Sequence, residues 1–225
     1  WWRRMATWSL LSLSAAALLA ALWYNRLMRI GVIARRRHVL HAEPDARPLQ
    51  DPPKVSIILA AKDEEANIEA CVTSLLAQDY ANAELIVVDD RSRDRTPEIL
   101  KRLAESSGGR LRVLTVTHLR DGWFGKNNAM RDGVAASSGS WLLFTDADCR
   151  FTSPRAVTTA LGAVLKQDIE FLSVIPILDT PSIWERALQP VCALVLMLWF
   201  RPDRVNDRST TTAYANGAFM LLRRN

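Results

Sequence analysis

Four short stretches carry the side chains that could do chemistry: Lys62-Asp63-Glu64-Glu65, Asp89-Asp90, Gly122-Trp123-Phe124-Gly125-Lys126 and Asp146-Ala147-Asp148. Two carboxylates one residue apart at a strand end can offer hard oxygen donors to Mg²⁺ or Mn²⁺ and leave other coordination positions for phosphate oxygens. An ion held there would act as a Lewis acid on a diphosphate leaving group. Lys126, after a glycine at a helix start, could reach the same phosphates. Asp90 could accept hydrogen bonds from a uracil N–H or a ribose hydroxyl. Each stretch alone has a plainer reading. Asp146-x-Asp148 can be a solvated turn, and Asp89-Asp90 before Arg-Ser a loop closed by an Asx turn. Lys126 can be a surface helix start, and Glu64 a first-turn acid favoured by the helix dipole. Their common position is what favours chemistry. They fall at successive strand ends, where like charges repel, and a divalent cation is the usual reason to tolerate that.

The elements that place them follow from the apolar pattern. Val55 to Ala60 is a short apolar run expected as a buried strand, and Glu65 to Ala77 has helical spacing at Ile68, Val72, Leu75 and Leu76. Glu84 to Val88 is expected as a second strand. Arg95 to Ala104 follows as a second helix with Asp94 as N-cap. Leu111 to Val116 reads as a third strand, Lys126 to Ala136 as a third helix and Trp141 to Thr145 as a fourth strand. Alternating strands and helices predict an α/β fold with a parallel sheet. In such sheets ligands sit beyond the carboxyl ends of the strands, where the four stretches lie.

Composition narrows the class. The chain has 225 residues, 49% apolar and 24% charged, an ordinary globular balance. The net charge of +5 is localised: residues 1–42 hold seven Arg and no acid, leaving 22 basic and 24 acidic residues in the remainder. A nucleic-acid-binding body would need a basic face of its own, so nucleic acid is not an expected partner. Cys71, Cys149 and Cys192 are far apart and the three His are scattered. That excludes a disulfide framework and a structural zinc site.

The N-terminus reads as an anchor. Met5 to Tyr24 is twenty residues without a charge, about 30 Å as a helix. Aromatic residues flank it on both sides, and five Arg follow within thirteen residues. The positive-inside rule then puts the body on the cytoplasmic side of the inner membrane. A cleaved signal peptide ending near Ala20-Ala21 is the alternative. Residues 43–53 hold four Pro and read as a linker. The expected organisation is a transmembrane anchor at 1–25, a basic juxtamembrane segment and linker at 26–53, and a catalytic body at 54–225. A first residue that is Trp, and a last strand that has just ended at Arg224, give the expectation of a fragment.

The ordered set SIILAAKDEEANIEACVTSLLAQDY, ELIVVDDRSRDRT and GWFGKNNAMRDGVAASSGSWLLFTDADCRF, over roughly residues 54–151, resembles family 2 glycosyltransferases of the GT-A fold. Trp184 to Pro190 and Ala213 to Arg224 are similar to the membrane-anchored, lipid-directed branch of hopanoid-associated and ceramide glucosyltransferases. The resemblance implies a GT-A, Rossmann-like sheet with helices on both faces. It implies that Glu64 and Asp90, with Asp89, bind uridine, that Lys126 sits near the base or diphosphate, and that Asp146 and Asp148 form the metal-binding Asp-x-Asp with Asp148 the direct ligand. Asn216 and Gly217 would line the donor sugar or acceptor side. The activity implied is an inverting, Mg²⁺- or Mn²⁺-dependent transfer from a UDP-sugar to a lipid or lipid-linked hydroxyl at the membrane face. Ala60 and Asp63 depart from the family's Pro and Asn. The family's acidic pair, which supplies the general base, and its Gln-x-x-Arg-Trp-type motif are matched by none of Asp179, Glu185, Asp203 or Asp207. The base is therefore expected beyond residue 225.

Ala187 to Phe200 is a second apolar run, fourteen residues long, with Pro190 in its first turns. It reads either as a buried core helix or as an interfacial or re-entrant one. Other classes remain for the body. A nucleotidyltransferase would want a Gly-rich, Arg-containing loop where Ala60-Ala61-Lys62-Asp63 stands. A receiver domain gathers similar residues in another order. A membrane-tethered, non-catalytic binder of nucleotide sugars is the third alternative.

Overall fold

The computed structural model describes residues 13–26, 40, 51–201, 204–207 and 209–224. The chain divides into two compact units, one of residues 1–39 and 178–214, the other of residues 40–177 and 215–225. The elements in chain order are α1 (13–26), β1 (Val55–Ala61), α2 (Ile68–Leu76), β2 (Ala83–Asp90), α3 (Thr96–Ser106), β3 (Leu111–Val116), α4 (Gly125–Ala136), β4 (Trp141–Asp146), α5 (Ala156–Gln167), β5 (Phe171–Ser173), α6 (Ile183–Phe200) and β6 (Phe219–Arg223).

The second unit is a six-stranded sheet in the order β3-β2-β1-β4-β6-β5. The first four strands are parallel, as the alternating pattern predicts. The sheet as a whole is mixed, because β6 runs antiparallel to both β4 and β5. Side chains alternate across the pleat. Val55, Ile57, Leu59, Leu85, Val87 and Leu143 face a large core shared with α2, α3 and α5. Ile86 and Val88 face the opposite side, toward Val116 and Ala129 of α4. There α4 comes unusually close to the sheet: a Cβ on Gly133 would stand 2.5 Å from Ile58 Cγ2.

Two boundaries differ from expectation. Helix α2 begins at Ile68 rather than Glu65, and the backbone N–H of Glu65, in the turn before it, donates to Asp94 Oδ2 at 2.9 Å. Strand β2 runs through Asp89 and Asp90, so these carboxylates are strand residues, both buried. Asp94 does accept from the Thr96 N–H at 3.0 Å, one residue further from the helix than a formal N-cap.

In the other unit, α6 starts on a capping box: Ser182 Oγ accepts from the Glu185 N–H at 3.1 Å, and Glu185 Oε2 accepts from the Ser182 N–H at 2.9 Å. It is not a buried core helix, since Ile183, Trp184, Leu188, Val191 and Trp199 are all exposed.

The N-terminal expectation is corrected. Residues 1–12, with the first part of the anticipated span, lie outside the described residues, as do the basic stretch 27–39 and linker residues 41–50. The described part of α1 covers 13–26 and includes Ser14, Asn25 and Arg26. Among the described residues no helix is long and apolar enough to cross a membrane, which takes about 20 apolar residues. The inner-membrane location and cytoplasmic orientation rested on that span and fall with it.

Candidate functional site

The sheet order fixes where a ligand can sit. From β1 the chain builds β2 and β3 outward on one side, then returns to place β4 on the other side of β1. Loops leaving β1 and β4 therefore diverge to open a crevice at their carboxyl ends, the general binding position of such sheets. Register does the rest. Ala60 pairs with both Val88 and Asp146, and Ala61 with Asp89, so the expected site residues arrive at one level.

Asp146 is the last residue of β4, and Lys126 is the second residue of α4. Their side chains meet in an ion pair, Lys126 Nζ donating to Asp146 Oδ1. Gly217 borders that pair: a Cβ there would lie 3.9 Å from Asp146 Oδ2 and 4.0 Å from Lys126 Nζ. Asn216 is engaged in its own turn, its Oδ1 accepting from the Ala218 N–H at 2.9 Å and its N–H donating to Ser173 Oγ at 2.7 Å. After β4 the chain turns through buried Ala147 and exposed Asp148. The turn is closed by the Cys149 N–H on Asp146 O at 3.2 Å. The Cys71 thiol reaches the same carbonyl at 3.6 Å. Burial, with the acids around it, pushes that thiol up to about 12, so it is no nucleophile at neutral pH.

Asp90 belongs to a second pair. Its Oδ1 accepts from Arg91 Nε at 2.8 Å and its Oδ2 from an Arg91 terminal nitrogen at 3.2 Å. The pair presses on the start of α4, where a Cβ on Gly125 would stand 2.5 Å from Asp90 Oδ2. A Cβ there would have to displace the Asp90 carboxylate. Asp89, on the opposite face of β2, accepts from the Ser92 N–H at 3.3 Å through Oδ1. Glu64 sits in the loop after β1, its carboxylate taking a hydrogen bond from Asn67 Nδ2 at 3.2 Å.

The structure thus brings together Asp146, Lys126 and Gly217, and separately Asp90 with the α4 N-terminus. It does not gather all the acids around one point: among the described residues no group of three His, Cys, Asp or Glu is placed to hold a metal ion. The repulsion expected at this edge is relieved by Arg91 and Lys126. Sequence reasoning missed Arg91, although a guanidinium directly after Asp-Asp was the available signal. It also missed Asn128, fully buried in α4, whose Oδ1 accepts from Arg120 at 2.7 Å while Arg120 pairs with Asp132 at 2.8 Å. No local pattern marks that network.

Comparison with known proteins fits this architecture. A mannosyltransferase from Pyrobaculum calidifontis, solved in complex with GDP-Man and Mn²⁺, superposes with a TM-score of 0.62 at 22% identity, covering 93% of this chain and 55% of that one. At that identity the likeness shows the fold, the GT-A form of the Rossmann-like sheet. The UDP-Glc:alpha-D-GlcNAc-diphosphoundecaprenol beta-1,3-glucosyltransferase WfgD of Escherichia coli is 31% identical over 118 residues, 52% of this chain and 44% of that protein. The beta-monoglucosyldiacylglycerol synthase of Trichormus variabilis is 34% identical over 124 residues, 54% of this chain and 25% of that protein. The chain thus spans less than half the length of these curated relatives. The description of Glycosyl transferase family 2 matches residues 56–225, from the second residue of β1 through every later strand, and on that match the chain belongs to this family.

Proposed function

We propose that the carboxyl edge of β1, β2 and β4 binds a UDP-sugar, and that the protein transfers its sugar, with inversion, to a lipid or lipid-linked hydroxyl. The observation that carries this is the Lys126–Asp146 pair beside Asp148 at the start of α4. Lys126 and the Asp146 carboxylate meet at that helix N-terminus, with Asp148 two residues further along the chain, the residue types a metal-bound diphosphate requires. Asp146 and Asp148 fit Mg²⁺ or Mn²⁺ as hard oxygen donors. Two protein carboxylates leave the remaining positions for diphosphate and water. When bound, the ion supplies Lewis-acid stabilisation of the departing diphosphate.

The chain's own residues do the rest. Lys126 turns from Asp146 toward the phosphates and adds a positive charge where negative charge develops. Asp90, fixed by Arg91, accepts from the uracil N–H or the ribose, and Glu64 borders the same nucleoside. Asn216 and Gly217 line the sugar side. The acceptor class follows the relatives whose names give a polyprenol-linked and a diacylglycerol-type product.

The test is calorimetric titration of UDP into the chain with Mn²⁺ and with EDTA, alongside Asp148→Ala. Binding should require the metal and weaken at least tenfold in the variant, whose exposed side chain makes no contribution to the core. A folded wild-type chain that ignores UDP in both buffers would sink the reading.

A further inference from the structure

We propose that Asp63 is a positioning residue for the donor nucleoside, setting the distance between Glu64 and Asp90 by clasping the loop after β1 to the loop after β2. The proposal rests on the donor-site reading above. Each loop holds one non-glycine residue in the left-handed region, Asp63 at φ 55° and Arg91 at φ 60°. Such conformations persist where the surroundings over-determine them, and here they do. The Asp63 N–H donates to Ser92 Oγ at 3.0 Å, and Asp63 Oδ1 accepts from the Arg93 N–H at 2.7 Å. The Ser92 N–H is itself held by buried Asp89 at 3.3 Å. One residue on, the Glu64 N–H donates to Thr96 Oγ1 at 2.8 Å. Then Glu65 joins reciprocally, its N–H on Asp94 Oδ2 at 2.9 Å and its Oε2 accepting from the Arg95 N–H at 3.1 Å.

Asp63 is the member of this ladder that connects to both carboxylates of the proposed nucleoside site. It is covalently adjacent to Glu64, and its partners Ser92 and Arg93 directly follow the Arg91 that grips Asp90. The carboxylates of Glu64 and Asp90 are bonded to Asn67 and Arg91 respectively, so their mutual placement is set through backbone, and Asp63 sets the backbone. What the position needs is an oxygen acceptor for a backbone N–H on a residue tolerant of positive φ. Asparagine meets both needs, glycine only the second.

The experiment measures UDP affinity in Mn²⁺ by calorimetry and Mn²⁺ affinity alone by electron paramagnetic resonance, on the whole chain. Asp63→Gly should weaken UDP about tenfold, the scale of one lost hydrogen bond, and leave Mn²⁺ affinity unchanged, because Asp146 ends another strand and Asp148 lies in the turn after it. Asp63→Asn should restore UDP affinity to within about twofold of wild type. Ser92→Ala, which removes the acceptor for the Asp63 N–H, should weaken UDP in the same sense and decides the matter if Asp63→Gly does not fold. Unchanged UDP affinity in Asp63→Gly overturns the proposal, as does equal loss in Asp63→Asn or parallel loss of UDP and Mn²⁺. A wild-type chain that binds no UDP overturns the donor-site reading itself, and is told apart because it appears before any variant is made.

Discussion

At the scale of single residues, the site is built from pairs that the sequence names but does not pair. Lys126 and Asp146 are twenty positions apart and meet only because α4 returns its N-terminus to the strand edge. Asp90 was legible as a strand-end acid, but its guanidinium partner was not weighed, since adjacency along a strand normally sends side chains to opposite faces. Arg91 escapes that rule by leaving the strand in a left-handed turn. Gly125 tests this arrangement. Its missing Cβ is the room that Asp90 Oδ2 occupies, at 2.5 Å from where the atom would be. Gly125→Ala should push the Asp90–Arg91 pair off its present position and weaken UDP at least tenfold. The helix should lose nothing intrinsically, because Ala is the better helix former. Thermal melting beside calorimetry checks this: an unchanged UDP affinity would show that the pair does not serve the nucleoside.

At the scale of elements, the strands are fastened at the edge opposite the site, and that fastening titrates. Glu84 on β2 accepts from Ser56 Oγ of β1 at 2.6 Å and from the Ser138 N–H at 2.7 Å, and pairs with Lys54 at 3.2 Å. Burial alone pushes its carboxyl up, but the hydrogen bonds from Ser56, Ser138 and Lys54 outweigh it and bring the pKa from 4.5 down to about 2. A folded-state value below the unfolded one stabilises the ionised form. The contribution is complete above about pH 4.5 and is lost as pH falls toward about 2. The melting temperature of wild type should therefore exceed that of Glu84→Gln by a constant margin from neutral pH to about 4.5, and the margin should close below that. A margin that persists at pH 2 would mean shape rather than charge is responsible. The elements from β1 to β4 were mostly legible, because each of these strands holds a short, largely apolar stretch and α2 has helical spacing. The start of α2 was not, since Glu65 is drawn into contacts thirty positions away, which no local pattern carries.

At the scale of the whole molecule, local pattern fixes what an element is but not which way it runs. Phe219 to Arg223 is apolar enough to be a strand anywhere in a sheet. Its antiparallel direction comes from the path by which the chain returns to β4. The same limit explains the N-terminal miss: a charge-free run says what solvent its residues prefer, not how far a helix extends, and among the described residues no helix is long and apolar enough to cross a membrane. The direction of β6 matters to the site, because the turn that enters it carries Gly217 to the Lys126–Asp146 pair. Leu221 is the pivot, fully buried and in register with Leu143 on one side and Leu172 on the other. Leu221→Ala should cost about 2–5 kcal/mol, the range for a deep leucine truncated in a packed core. Arg223→Ala, at the exposed end of the same strand with an ion pair of 3.7 Å to Glu170, should cost less than about 1 kcal/mol. Urea unfolding of both variants gives the comparison. If β6 is the strand that completes the core, Leu221→Ala lowers the midpoint sharply and weakens UDP through the loosened Gly217 turn. Equal, small shifts in the two variants would mean the unit holds its core without β6, and the donor site would then owe nothing to the returning strand.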